Sequence, residues 1–253
     1  MSFAACAEIV RRGDPERFLS VMAAPVRLRS ALFATYAFNV EVSRAPWVTA
    51  EPMIAEMRLQ WWADMLDEFR AGGPVRRHEV ATPLAAVLNQ TAAAYLAELV
   101  QARRLDVSRE PLEDWAQARA YVRQSSGNLM AAAAAATGAV DGLEAVATYG
   151  MATGMANYMI AQPAMAAQGR HRLDRMDDPE SVARFAGRAL MDARAARRSL
   201  PRAAIPAARA GWLGRRRLAA IARDPACLDR VGPAISEFGK RAGLLWRSAL
   251  GRA

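Results

Sequence analysis

The chain has little of what most active sites are built from. It contains two histidines and two cysteines in 253 residues. His78-Glu79 has no second histidine four positions on, which excludes the two-histidine zinc helix. Cys6 and Cys227 stand near opposite ends with no partner motif, so the prediction is reduced thiols and no disulfide. No glycine-rich phosphate loop occurs. Ser125-Ser126-Gly127 is not a nucleophile elbow, because no strand-like run precedes it. Alternation at period two is missing throughout, which excludes a half-buried sheet.

Lysine is scarce too; Lys240 is the only one. The positive charge is therefore arginine, and the net charge of +9 implies an anionic partner. Nucleic acid is not the expected one. Arg215-Arg216-Arg217 is the one tight basic run, and no zinc-finger, helix-turn-helix or RNP-like pattern accompanies it. An anionic membrane surface fits better, and those three arginines are the predicted contact. Near the N-terminus, Arg11 and Arg12 follow the short apolar part, the wrong order for a secretory signal. Glu8, Asp14 and Glu16 argue against a transit peptide. The expected location is cytoplasmic, peripheral at the inner face of the membrane.

What remains is helical. Ala, Leu, Met, Arg and Glu dominate, and the 53% apolar content supports a large core. Asp14-Pro15-Glu16 is a helix start, with cap, proline and acid in order. Punctuation by Pro and Gly then predicts helices over roughly 15–24, 26–45, 49–71, 82–104, 111–137, 179–200, 203–222 and 229–250. From Ala145 to Gly169 there is no charged residue. That length can span a bilayer. Asn157, Gln162, Pro163, Gln168 and the many small residues instead predict a helix buried on all sides. No repeat or linker divides the chain, so the expectation is one all-α domain over 1–253, a helical bundle around this central apolar helix.

Several segments occur together in a telling order. They are Phe18-Leu19, Tyr36-Ala37-Phe38-Asn39-Val40-Glu41, Arg58-Leu59-Gln60-Trp61-Trp62, Tyr121 with Ser125-Ser126-Gly127-Asn128-Leu129, and Gly154 to Gly169-Arg170. Over about 14–175 this order resembles the squalene/phytoene synthase family, which implies an isoprenoid synthase-like fold. Active members condense two prenyl diphosphates head to head. Their diphosphate leaves with the help of Mg²⁺ held by paired carboxylates on facing helices. In this chain the resemblance puts those acidic positions on Ser43 and Trp47, and on Ala161, Ala164 and Met165. The Phe-Asn-Val-Glu and Arg-Leu-Gln-Trp-Trp segments look most like the non-catalytic branch, which includes a mitochondrial assembly factor for respiratory complex I. The resemblance therefore implies a binding or assembly protein with no catalytic or metal-binding residues and no cofactor. Its partners would be membrane respiratory-complex subunits, and its ligand an isoprenoid or other lipid. The alternative is a prenyl transferase using Mg²⁺ on atypical ligands.

A ligand cavity is expected between the helix at 26–45, the Trp61-Trp62 helix and the central helix. Gly150, Ala152, Gly154 and Ala156 would leave room for it. The candidate lining is Tyr36, Asn39, Glu41, Ser43, Arg44, Trp47, Arg58, Trp61, Tyr121 and Asn157. The competing expectation is a solid core filled by Trp47, Trp61 and Met165. Glu41 is expected to pair with Arg44 or Arg58. Asp64-x-x-Asp67-Glu68 reads as a solvated face, and Asp174, Asp177 and Asp178 before Pro179 as a helix cap.

Overall fold

In the computed structural model, Asp14 closes one helix and opens the next. It follows α1 (Phe3–Gly13) and caps α2 (Pro15–Met22), its Oδ1 accepting from the Arg17 amide at 2.9 Å. The structure describes residues 2–49, 51–108, 110–168, 173, 178–229 and 244. Pro25 stands just before α3 (Val26–Arg44), and Pro52 opens α4 (Pro52–Arg70). Gly72 takes φ 73°, the left-handed conformation that ends α4 at little cost for glycine. There follow α5 (Ala81–Ala85), α6 (Gln90–Arg103), α7 (Leu105–Ser108) and α8 (Trp115–Val122). A π turn, Arg123–Gly127, joins α8 to α9 (Asn128–Ala136). The chain continues through α10 (Leu143–Ala167), α11 (Pro179–Arg198), α12 (Ile205–Ala208) and α13 (Gly214–Arg223). No strand occurs among the described residues; one isolated bridge links Leu112 and Leu173.

Three predicted helices are broken where local chemistry overrides the pattern. The helix expected over 82–104 restarts at Asn89. Its Oδ1 accepts from the Ala92 amide at 2.8 Å and its Nδ2 donates to the Ala135 carbonyl at 2.8 Å, so a cap and a tertiary bond hold the break. The helix expected from Pro111 begins later, where Asp114 accepts from the Gln117 amide at 2.8 Å. The segment at 203–222 becomes short turns and two helices around Pro206, Gly211 and Gly214. The expected helix at 229–250 lies outside the described residues apart from Asp229 and Leu244.

The charge-free segment forms α10, which is buried from Val146 to Met159 except at Thr148 and Asn157. It packs against the π turn, α9, α11 and α13. Tyr149, Met155 and Met159 are fully enclosed, and burying each such side chain stabilises by ~1.5–3 kcal/mol. No helix among the described residues is long and apolar enough to cross a membrane.

The small residues of α10 do not mainly leave empty space. A Cβ on Gly150 would lie 2.8 Å from Met130 Cβ and 2.9 Å from the Ser126 carbonyl. On Gly154 it would lie 2.4 Å from Ser126 Cβ. These glycines let the π turn press against α10. Ala152 and Ala156 are core residues. Of the four, Gly154 alone borders the larger cavity, and Gly150 with Gly154 lines a small adjoining void.

Candidate functional site

Those glycines hold the α8–π-turn segment against α10, and side chains of α3 face both across a space beside the α1–α2 junction. The cavity measures about 490 Å³, within the ordinary range for a small-molecule pocket. Asn39, Ser43, Arg44 and Trp47 come from α3 and the turn after it. Tyr121, Ser125 and Ser126 come from α8 and the π turn, and Asn157, Tyr158, Ala161, Ala164 and Met165 from α10. Asp14, Arg17, Arg103 and Asp106 complete the polar wall.

The strongest electrostatic feature is a trio of two buried groups, Tyr121 and Asp106, with the half-buried Arg103. Tyr121 Oη donates to Asp106 Oδ1 at 2.7 Å. Arg103 reaches Asp106 Oδ2 at 3.1 Å and the Tyr121 hydroxyl at 2.6 Å. Burial holds the Tyr121 phenol well above its ordinary pKa, although Arg103 pulls the other way. Burial disfavours charge on Arg103, but Tyr121 and Asp106 outweigh it and leave that pKa raised. The second acid on the wall, Asp14, is ion-paired with Arg17. Both cavity carboxylates among the described residues are thus engaged by arginine. Among the described residues no group of three or more His, Cys, Asp or Glu side chains is placed to share a metal.

The structure brings together Asn39, Ser43, Arg44, Trp47, Tyr121 and Asn157 of the sequence candidates. It sets the others elsewhere. Tyr36 is buried behind Arg17, its hydroxyl donating to the Ala207 carbonyl at 3.3 Å, and lines a small adjoining void instead. Glu41 lies half-buried outside the cavity wall and has no ion-pair partner among the described residues, so the expected pair with Arg44 or Arg58 is not formed. Arg58 is exposed on α4. Trp61 packs edge-on to Trp62 at 4.8 Å and lies 5.1 Å from His78, with Arg76 over its ring. The Trp61-Trp62 helix is therefore not a cavity wall; those rings fill α4's contact with the His78 loop. A solid core filled by Trp47, Trp61 and Met165 is not found either, since Trp47 and Met165 border open space.

Arg17, Arg103, Asp106 and Tyr158 escaped the sequence reading, and Asp14 and Ser126 were read there for other roles than the cavity wall. Arg103-Arg104-Leu105-Asp106 reads as an ordinary solvated helix end, and nothing in it signals that Asp106 is only 4% exposed. Asp64 and Glu68 face Arg76 on the surface, and Asp67 faces Arg70. Asp178 caps α11, accepting from the Glu180 amide at 3.1 Å. Gly169, Arg170, Asp174 and Asp177 lie outside the described residues.

The arginine run does not act as one surface. Successive helical residues point about 100° apart, so the three side chains diverge. Arg217 turns inward and donates to Glu16 at 2.6 and 2.8 Å and to Asn157 Oδ1 at 2.8 Å. Arg215 is half-buried, and burial with the nearby Arg197 lowers its pKa. Only Arg216 is exposed.

Comparison with known proteins follows the same lines. A crystal structure of a dehydrosqualene synthase in complex with ligand superposes with a TM-score of 0.76, covering 98% of this chain and 95% of that one at 17% identity. The squalene synthase HpnC from Alicyclobacillus acidocaldarius gives a TM-score of 0.67 over 98% and 94% of the two chains at 18% identity. At such identities the likeness is one of fold. In sequence, the chain is 37% identical over 106 residues to the Drosophila melanogaster homolog of NADH dehydrogenase (ubiquinone) complex I, assembly factor 6, over 42% of this chain and 32% of that protein. The Homo sapiens assembly factor 6 is 33% identical over 69 residues, covering 27% and 21%. The matched stretch thus spans a third or less of these curated relatives. Residues 10–237 match the family model for squalene/phytoene synthase, nearly the whole length over which the helices and the cavity are built, and the chain belongs to the squalene/phytoene synthase family.

Proposed function

We propose that this chain is a non-catalytic member of its family, a binding or assembly protein for a membrane respiratory complex. Its cavity would hold an isoprenoid or other lipid. The carrying observation is the composition of the cavity wall. Ser43, Trp47, Ala161, Ala164 and Met165 all line it, at the positions where the resemblance expects metal-binding acids. None carries a carboxylate. Among the described residues, the acids that do reach the wall, Asp14 and Asp106, are each paired with arginine. Magnesium holding a diphosphate requires several free carboxylate oxygens, and this donor set does not fit it. Without that neutralisation, diphosphate does not leave at a useful rate. The likeness to complex I assembly factor 6 supports the assembly half of the reading.

A prenyl transferase with atypical ligands is the second reading. It is favoured by the synthase fold and by two acids in the cavity. Purified protein incubated with farnesyl or geranylgeranyl diphosphate and Mg²⁺ separates the two. The favoured reading expects no diphosphate release, with respiratory-complex subunits cross-linked to the protein in native membranes. Diphosphate release by the purified protein would establish the transferase instead.

A further inference from the structure

Ten large apolar side chains stand exposed among the described residues, and five of them fall in one short stretch: Trp47, Val48, Met53, Ile54 and Met57. Met53 is 74% exposed and Met57 65%. A chance scatter of surface apolar residues needs no explanation, but a contiguous patch does. Here the helix geometry makes the α4 part of it contiguous, and Trp47 and Val48 stand in the turn just before that helix. On α4, Ala55, Leu59, Trp62 and Leu66 face the core. Met53 and Met57 follow one another at a spacing of four on a different side, with Ile54 beside them. The helix is thus apolar on two faces, and the core covers only one.

The patch adjoins the mouth of the cavity, because Arg44 and Trp47 belong to both. Its border is basic. Arg44 and Arg58 are exposed and make no ion pair among the described residues. Of the two acids in the stretch, Glu56 is taken by Arg104, which leaves Glu51. The chain as a whole carries +9. An apolar centre containing tryptophan, edged by unpaired arginines, is complementary to an anionic bilayer: the rings and thioethers enter the headgroup boundary and the guanidiniums meet phosphates.

We propose that the exposed side chains of residues 44–48 and 53–58 form the face by which this protein seats on an anionic lipid surface, with the cavity mouth opening toward the lipid. This surface does not depend on the assembly reading, since its occupant is the bilayer itself.

Flotation of the full chain with phosphatidylcholine vesicles, and with the same vesicles containing phosphatidylglycerol, tests it. Binding is expected to the anionic vesicles and to weaken with salt. Met53→Asn with Met57→Asn should reduce it at least tenfold. Arg44→Gln with Arg58→Gln should abolish the preference for anionic lipid, while Arg216→Gln should leave binding as it is. All these side chains are exposed, and an unchanged melting curve confirms that each variant is folded. Brominated lipids should quench tryptophan fluorescence in the parent and less so in Trp47→Phe. Flotation that survives the double methionine substitution overturns the proposal. So does absence of binding to anionic vesicles at low salt, or protection of Met53 and Met57 by a protein partner alone.

Discussion

Arg217 and Glu16 lie 201 positions apart and hold each other through two hydrogen bonds of 2.6 and 2.8 Å. The bidentate pair ties α13 to α2, and the same guanidinium holds Asn157 on α10. Both partners are mostly shielded, at 16% and 29% exposed. Removing one leaves the other charge poorly solvated.

Arg217→Gln should therefore lower stability by about 1–3 kcal/mol, whereas Arg216→Gln should stay within about 0.5 kcal/mol of the parent. Urea unfolding of the two variants in parallel reads the difference. Equal effects would mean that the pair is too solvated to matter.

The π turn depends on glycine at α10. A side chain at Gly154 would meet Ser126 at 2.4 Å, so Gly154→Ala should cost about 1–3 kcal/mol by overpacking. Gly187 on α11 has nothing within 4 Å of its would-be Cβ. There the helical propensity gain dominates, and Gly187→Ala should stabilise by about 0.5–1 kcal/mol. Thermal melts of both proteins should move in opposite directions; a shared direction would refute the packing account.

Tyr121→Phe should cost about 1–3 kcal/mol by leaving Asp106 and Arg103 short of a partner. Asp106→Asn should cost more, about 3–5 kcal/mol, because it strips the largely shielded Arg103 of its counter-charge. Tyr36, Tyr121 and Tyr158 all have pKa values raised first by burial. A raised phenol pKa means that the folded state favours the proton. Its contribution is complete below the unfolded value of ~10 and is lost as pH climbs beyond it. Denaturation midpoints measured between about pH 9 and about pH 11.5 should fall. Midpoints flat over that window would contradict the burial of these hydroxyls.

Cys6 is fully buried, its Sγ near the Glu79 carbonyl, and burial pushes its pKa up to about 11. Cys227 is only partly covered. Thiolates, not thiols, react. A thiol reagent at neutral pH should label Cys227 first and Cys6 only on unfolding, as mass spectrometry of the labelled peptides will show. Prompt labelling of Cys6 would mean that α1 opens from the body of the protein.

The helical class and the position of the central helix were legible because both are local properties. A run without charge from Ala145 to Gly169 cannot sit comfortably in water, and the chain supplies enough amphipathic helices to cover it. Asp14-Pro15 announced its own helix boundary for the same reason, since a cap is read within four residues. Asn89 was not read as a boundary, because half of what holds it there comes from the Ala135 carbonyl, 46 positions away.

The candidate site divides along that line. The segment from Asn39 to Trp47 and the single residues Tyr121 and Asn157 stood out by their order along the chain. Asp106 did not, and neither did the inward turn of Arg217. The amino-acid sequence by itself determined which residues form helices and which helix must be hidden, because backbone preference and apolar pattern act over a few positions. Only the tertiary structure decided which charges are spent on one another and which apolar side chains are left uncovered. Arg217 and Met57 look equally ordinary on a helix; one found Glu16 across the fold, and the other is left 65% exposed.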